Sequence, residues 1–376
     1  MVLIADPQII DRHTYDRRGL SLAATIYYTD LFMSRSYRSI LSHLNPSTIL
    51  FLGDLFDGGR EWASDRFAHS HEDSPIPEDP DAKPDWKELK DEFWLSEYSR
   101  FMKIFPPYPY RRTVMSLPGN HDLGVGNGIR ESVSDRFKLF FGDTSRLVTA
   151  GNHSIVLLDT ASLSNDINER IYGPPREFLD SLPALLSPPP RRQPHTIQDA
   201  SSPPPPSPPQ AGKLPVILLT HIPLFRLANA SCGPLRESPN PIRIGGGYQY
   251  INTLSPDLSA EILRKVDPTF VFSADDHDFC EVHHGAVTEV TVKSFAWTMG
   301  IRRPGFSMVS LYTGAGEKGT VAYQLCLLPD QIKIYMVYAF VALVSLVLVA
   351  LKRAPKVVLH VAVVVLPAYL LLLWTW

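Results

Sequence analysis

Short apolar runs that end abruptly in polar residues set the rhythm of this chain. Residues 2–5, 48–51, 114–117, 216–219 and 270–272 are brief, apolar and rich in β-branched side chains, and each is followed by Gly, Pro, Asp or His. That pattern predicts buried strands closed by turns. Between the first two runs Met33, Tyr37, Ile40, Leu41 and Leu44 recur at spacings of three and four, which predicts a helix over residues 20–44 and a βαβ crossover. Trp86, Leu89, Phe93, Tyr98, Phe101 and Phe105 mark a second amphipathic helix whose aromatic face belongs to the core. An acidic, proline-rich exposed loop at residues 72–83 precedes it. A strand at 154–159 and a short helix at 176–186 follow. Strand-like runs at 281–285, 287–295, 306–312 and 320–328 then supply a second sheet. The fold class is α/β.

Two segments break this rhythm. Residues 187–210 are dominated by proline, serine and glutamine, which bury too little apolar area to offset the entropy of ordering. They are expected to form a disordered surface insertion within one domain, with a proline-rich docking motif as a second reading. Residues 334–351 and 357–374 are nearly uncharged, each about the minimal length for a membrane helix, and Lys352, Arg353 and Lys356 lie between them. This predicts a transmembrane hairpin after a domain spanning residues 1–330. The basic loop is expected on the cytoplasmic side and the domain on the lumenal or exterior side. The sequons at Asn152 and Asn229 are compatible with that side. Met1 opens directly on the first strand with no apolar leader ahead of it, so the N-terminus is expected to be incomplete, with insertion through the C-terminal segments alone as the other expectation.

With 376 residues, 44% hydrophobic and 20% charged, the chain can bury one large core. Its formal net charge of -3 argues against a nucleic-acid partner, which calls for a basic excess. Three cysteines leave room for one disulfide and an odd thiol; Cys232 and Cys280 both lie just past strand ends and are the expected pair.

The five strand ends carry the candidate chemistry. They deliver Asp6 and Gln8, then Asp54, then Asn120, His121 and Asp122, then His221, and finally Asp275 and His277. In open α/β sheets ligands bind in the crevice outside the carboxyl ends of strands. Turn preferences explain Asp and Asn at such places, but not the repeated histidines. His283 and His284 sit at adjacent strand positions, point to opposite faces and are left out of the site.

These blocks resemble the calcineurin-like metallophosphoesterases, whose ordered pattern is D-x-H, G-D-x-x-D, G-N-H-D, a lone H, and G-H-x-H. Gly53-Asp54-Leu55-Phe56-Asp57 and Gly119-Asn120-His121-Asp122 match in full. Gln8 replaces the histidine of the first block, and Ala274-Asp275-Asp276-His277 stands where the last block has G-H-x-H. Residues 4–9, the run 275–278, and the stretches 232–237 and 299–306 resemble a membrane-bound fungal branch. Its relatives remove ethanolamine phosphate from the mannoses of glycosylphosphatidylinositol (GPI) anchors.

The resemblance implies a four-layer α/β/β/α sandwich and two divalent cations. One would be held by Asp6, Gln8, Asp54 and His277, the other by Asp54, Asn120, His221 and Asp275. Gln8 either contacts its ion or hydrogen-bonds a bound water. The oxygen-rich set favours Mn²⁺ or Mg²⁺ over Zn²⁺, with Mn²⁺ expected. His121 is expected beside the leaving oxygen, with Asp122 orienting its ring. Arg60, Arg236 and Arg302 are substrate candidates, and Asp57 a supporting one. The implied function is removal of ethanolamine phosphate from GPI lipid or GPI-anchored proteins at an endoplasmic reticulum or Golgi membrane. The alternatives are hydrolysis of another membrane phosphoester, or a catalytically inactive trafficking or metal-homeostasis protein.

Overall fold

A computed structural model describes residues 1–12, 14–15, 17–61, 91–187, 214–247, 249–312, 320–350 and 363. The acidic loop at 72–83, Trp86 and Leu89 of the expected second helix, nearly all of the proline-rich insertion, the basic loop at 352–356 and all but residue 363 of the second apolar stretch lie outside these residues. Chain order runs β1 (Val2–Ile4), α1 (Gly19–Ser39), β2 (Thr48–Phe51), α2 (Asp91–Ile104), β3 (Arg112–Val114), α3 (Asn120–Leu123), α4 (Glu131–Phe141), β4 (Arg146–Ala150) and β5 (His153–Leu157). It continues with α5 (Thr160–Leu163), α6 (Glu169–Leu185), β6 (Val216–Leu219), β7 (Gly246–Gly247), β8 (Tyr250–Ile251), α7 (Pro256–Val266) and β9 (Phe270–Ser273). Strands β10 (Cys280–His284), β11 (Val287–Thr291), β12 (Gly305–Tyr312) and β13 (Thr320–Leu327) precede the last described helix, α8 (Gln331–Ala350).

Two sheets share a core. One has the order β13-β12-β1-β2-β3 and the other β10-β11-β9-β6-β5-β4. Side chains along a strand alternate between faces, and the apolar contacts divide accordingly. Leu3, Leu50, Ile155, Ile217 and Phe272 join one cluster drawn from both sheets. Their neighbours Ile4, Ile49, Phe51, Val156, Leu218 and Val271 pack instead with helix residues such as Met33, Tyr37, Phe101, Leu179 and Ile262. Every one of β1, β2, β6 and β9 is therefore buried on both faces, the reason its sequence is continuously apolar rather than alternating. Strands β1, β2 and β3 run parallel, as do β5, β6, β9 and β11.

Several expected boundaries move. The third run becomes β3 at residues 112–114, two residues earlier than its apolar centre, because the chain from Met115 to Gly119 leaves the ladder to reach the site. Helix α6 begins at Glu169, seven residues before the expected start: the Asn168 side chain caps it by accepting from Arg170 N at 3.0 Å. Pro174 and Pro175 lie inside that helix, their lost amides offset by the burial of Ile171, Leu179 and Leu182. The long first helix closes through a π-turn at Ile40–Leu44. Helix α8 starts at Gln331, and its segment Gln331–Leu348 has mean hydropathy 1.9 and is unburied, so one described helix is long and apolar enough to cross a membrane.

Candidate metal centre

Backbone geometry at the strand ends gathers the polar residues. Immediately after β1 and β2 the chain turns through left-handed conformations at Asp6 (φ 45°), Gln8 (φ 25°) and Asp54 (φ 53°), and after β9 at Asp275 (φ 69°) and His277 (φ 66°). These are five of the nine non-glycine residues with positive φ among those described. Such conformations cost of order 1–3 kcal/mol each and persist where the surroundings over-determine them, commonly at functional sites. Two glycines permit the packing. A Cβ at Gly119 would fall 2.0 Å from Asp54 Oδ1, and one at Gly53 would fall 2.6 Å from Gly119 N and 2.7 Å from His221 Nδ1.

Asp6, Asp54 and His277 place one donor atom each within 4.8 Å of one another. Asp54 is the hub. Its Oδ2 accepts from Gln8 Nε2 at 3.1 Å, its Oδ1 accepts from His121 N at 2.9 Å, and His221 Nε2 lies 3.3 Å from Oδ1. Asp275 closes the gap between the sheets: its N–H donates to Asp6 Oδ1 at 3.2 Å, and its Oδ1 is 3.6 Å from His221 Nε2. Asn120 Oδ1 is 3.2 Å from the same nitrogen. Asp6, Gln8, Asp54, Asn120 and His221 are all buried.

The three imidazoles share one device. A main-chain carbonyl faces Nδ1 in each: Asp57 O at 2.7 Å from His121, Leu52 O at 2.8 Å from His221 and Met299 O at 3.2 Å from His277. A carbonyl only accepts, so Nδ1 carries the hydrogen and Nε2 is left for the site. The Leu52–His221 bond also ties the two sheets together.

Electrostatics make the cluster cation-hungry. Burial raises the Asp6 carboxyl well above its ordinary value; His221 opposes the rise, and Asp54 and Asp275 add to it. Asp54 is raised likewise by burial, against His221, with Asp122 and Asp275 contributing. Burial pushes His221 down, yet Asp54, Asp275 and Asp6 together lift it well above the usual imidazole range. His277 is lowered by burial, and His121 by burial and then by the Arg60 guanidinium. Crowded carboxylates out of water need positive charge among them. Asp6 Oδ2 and Gln8 Oε1, both buried, accept no hydrogen bond among the described residues. Orphaned oxygens beside a carboxylate–imidazole cluster are what a divalent cation would satisfy, so the residues present fit the ions that the sequence pattern implies.

Other expected residues stand differently. Asp122 does not reach the His121 ring: its carboxylate accepts from Leu55 N at 3.0 Å, Phe56 N at 3.1 Å and Gly119 N at 2.8 Å. It therefore shapes the Asp54 loop, and Asp57 holds His121 through its main chain. Arg60 does reach the site, donating to Asn120 O at 3.2 Å. Arg236 is engaged by Asp276 and by Asn240 O, the latter at 2.7 Å. Arg302 is 64% exposed, 3.4 Å from Asp330, and sits beside the start of α8. The Cys232–Cys280 disulfide forms as expected, and Cys326 is free. His284 pairs with Glu289, outside the cluster.

Gln249 is the residue that the sequence did not signal. Its main-chain oxygen accepts from Asn120 Nδ2 at 3.0 Å, while its side chain accepts from Val125 N and donates to Gly128 O. A lone glutamine in a glycine-rich loop offers no pattern by which to find it.

Residues 26–279 match the calcineurin-like phosphoesterase family. The chain is 38% identical over 371 residues to Cell division control protein 1 of Saccharomyces cerevisiae, covering 93% of this chain and 64% of that protein. It is 30% identical over 315 residues to Metallophosphoesterase 1 of Xenopus laevis, covering 81% of this chain and 68% of that protein. The Gallus gallus Metallophosphoesterase 1 is 26% identical over 315 residues, covering 81% and 67%. The chain thus spans just under two thirds of the yeast relative's length.

Proposed function

The chain belongs to the calcineurin-like phosphoesterase family, hydrolases of phosphoester bonds, and on that premise we propose that it is a membrane-anchored phosphodiesterase that removes ethanolamine phosphate from a mannose of GPI anchors. The observation that carries the reading is the short link along the chain between the end of the domain and the apolar helix. The last strand ends at Leu327, and α8, the apolar helix, begins at Gln331. A domain tethered so closely works in a thin shell over the bilayer, where a lipid-linked phosphodiester is concentrated and a soluble one is not. The choice of ethanolamine phosphate rests on the branch resemblance in the motif blocks.

Two divalent ions, Mn²⁺ by the oxygen-rich donor set, would be held by Asp6, Gln8, Asp54 and His277 and by Asp54, Asn120, His221 and Asp275. When bound, such a pair offsets the charge on the phosphoryl oxygens and lowers the pKa of water. The chain's own residues do the rest. Asp54, shared between the two positions, is fixed by Gln8 Nε2 and His121 N. The Nδ1 proton of His121 is held by Asp57 O, so its Nε2 is the atom that exchanges a proton with substrate. Burial and Arg60 keep the ring neutral in the free protein. An incoming phosphodiester brings the negative charge that lets Nε2 take up a proton. In the reaction the oxygen of water bonds to phosphorus as one of its O–H bonds breaks and that proton passes to solvent, while the bond from phosphorus to the mannose oxygen breaks and His121 Nε2, protonated from solvent when substrate binds, gives its proton to that oxygen.

The membrane arrangement belongs to the same reading. In it α8 crosses the bilayer, the basic sequence at 352–356 is cytoplasmic, and the domain lies in the lumen of the endoplasmic reticulum or Golgi. Exposed sequon asparagines at 152 and 229 and the Cys232–Cys280 bond support that compartment. The test is mass spectrometry of released GPI glycans from cells lacking the protein. Glycans retaining a side-chain ethanolamine phosphate should accumulate, and only a copy with Asp54 and His121 intact should clear them. Unchanged ethanolamine phosphate content, with no redundant relative present, rejects the substrate assignment.

A further inference from the structure

A cleft of about 690 Å³ opens where the domain meets the first turns of α8. Its lower wall is a helix face of Met336, Val337 and Phe340, each more than half exposed. Above that face Arg302, Arg303 and Lys333 come together. The acidic groups nearby are already committed. Glu237 accepts from the amides of Arg302 and Arg303 at 2.6 and 3.2 Å and lies 3.3 Å from Lys293. Asp330 accepts from Lys333 N at 2.8 Å and is the partner of Arg302. Among the described residues no carboxylate lies within ion-pair distance of the Arg303 or Lys333 side chains, so the cleft keeps an excess of positive charge.

We infer that this cleft binds the head group of an anionic glycerophospholipid from the surrounding bilayer. Charge complementarity selects the head group: guanidinium and ammonium donors match phosphate oxygens. The apolar wall selects a lipid over a free anion, because the same cleft runs directly onto the helix that is apolar enough to span the membrane. Its cations stand at the start of that apolar segment, the depth at which the head-group region lies. The cleft is also connected to the metal centre. The loop that carries Arg302 and Arg303 begins at Met299, whose carbonyl holds His277 Nδ1 at 3.2 Å. A lipid seated in it docks the domain against the bilayer on the side where that loop supports the site. The inference depends on α8 being a membrane helix and not on which phosphoester is hydrolysed.

The test uses the full chain in nanodiscs of phosphatidylcholine, alone or mixed with phosphatidylinositol, and counts lipids retained after release into native mass spectrometry. The intact protein should keep phosphatidylinositol in preference to phosphatidylcholine. The doubly substituted Arg303→Ala, Lys333→Ala protein should lose that preference by at least tenfold with an unchanged melting temperature, and Arg303→Lys should retain it. Equal retention by the double variant overturns the proposal, as does displacement of the lipid by inorganic phosphate at similar concentration, which would mark a free-anion site. No turnover is measured, so a failed GPI assignment leaves this outcome unaffected.

Discussion

Asn120 Nδ2 donates to the main-chain oxygen of Gln249 at 3.0 Å, a bond between residues 129 positions apart. It fixes which way the Asn120 amide faces: with the nitrogen held, Oδ1 is the atom turned toward His221 Nε2. Gln249 itself sits at φ 55° and is pinned by Val125 N and Gly128 O. Partners that orient ligands in this way typically carry about 10–100-fold in metal affinity or activity. Gln249→Ala keeps that main-chain oxygen but removes the side-chain bonds to Val125 and Gly128 that hold it in place, so Mn²⁺ affinity should fall by no more than about that factor, as read by titration calorimetry, while Tyr250→Phe next to it should leave it unchanged.

The hub predicts a separation of stability from activity. Asp54→Asn removes one of several mutually repelling buried carboxylates but keeps an oxygen for His121 N. Hydrolysis should fall to background, and the melting temperature in chelator should stay level or rise, since no core packing is lost. Hydrolysis at the native rate by a fully metallated Asp54→Asn protein would overturn the shared-ligand assignment. Gly119→Ala should be as inactive for a different reason, because its Cβ falls on Asp54 Oδ1.

A buried pair away from the site predicts acid sensitivity. Burial raises the Glu289 carboxyl, but Arg226, His284 and Ser273 outweigh it and leave it below its ordinary value. Arg226 Nη2 is 2.7 Å from Glu289 Oε1, and both side chains are nearly inaccessible. A depressed folded value means the stabilisation is present above the unfolded carboxyl's 4.5 and is lost as pH falls through the folded value. Urea denaturation should show stability declining below about pH 4.5. Glu289→Gln should cost about 3–5 kcal/mol at pH 7 by stranding Arg226.

Lumenal placement predicts modification. Asn152 lies exposed at the β4–β5 turn with φ 60°, and Asn229 is exposed three residues before the disulfide. Both should carry glycans removed by endoglycosidase, and protease added to sealed microsomes should cut near Lys352 to Lys356 while sparing the domain. Degradation of the domain without detergent would reverse the orientation.

The sequence by itself determined where most strands lie and which polar residues follow them, but not how they divide: the four runs from 281 to 328, expected to supply one second sheet, split as β10 and β11 in one sheet and β12 and β13 in the other. Continuously apolar runs such as Val216–Leu219 can only be buried on both faces, and Asp54, His221 and Asp275 follow such runs directly, so periodicity and position were enough to place them. It also made the apolar segment that becomes α8 plain from length and composition. What tertiary structure decided were contacts between parts of the chain with no local signal. Asp122 has the sequence position of a partner to its neighbour His121, yet its carboxylate turns to the amides of Leu55, Phe56 and Gly119, while Asp57 takes the ring. Arg236 and Arg302 look alike as phosphate candidates until Asp276 and Asp330 are seen to engage them. A hydrogen bond to a main-chain carbonyl, such as those from Asn120 to Gln249 or His277 to Met299, is indifferent to the side chain that carbonyl belongs to. No residue type marks it, and only the folded path of the backbone brings it into place.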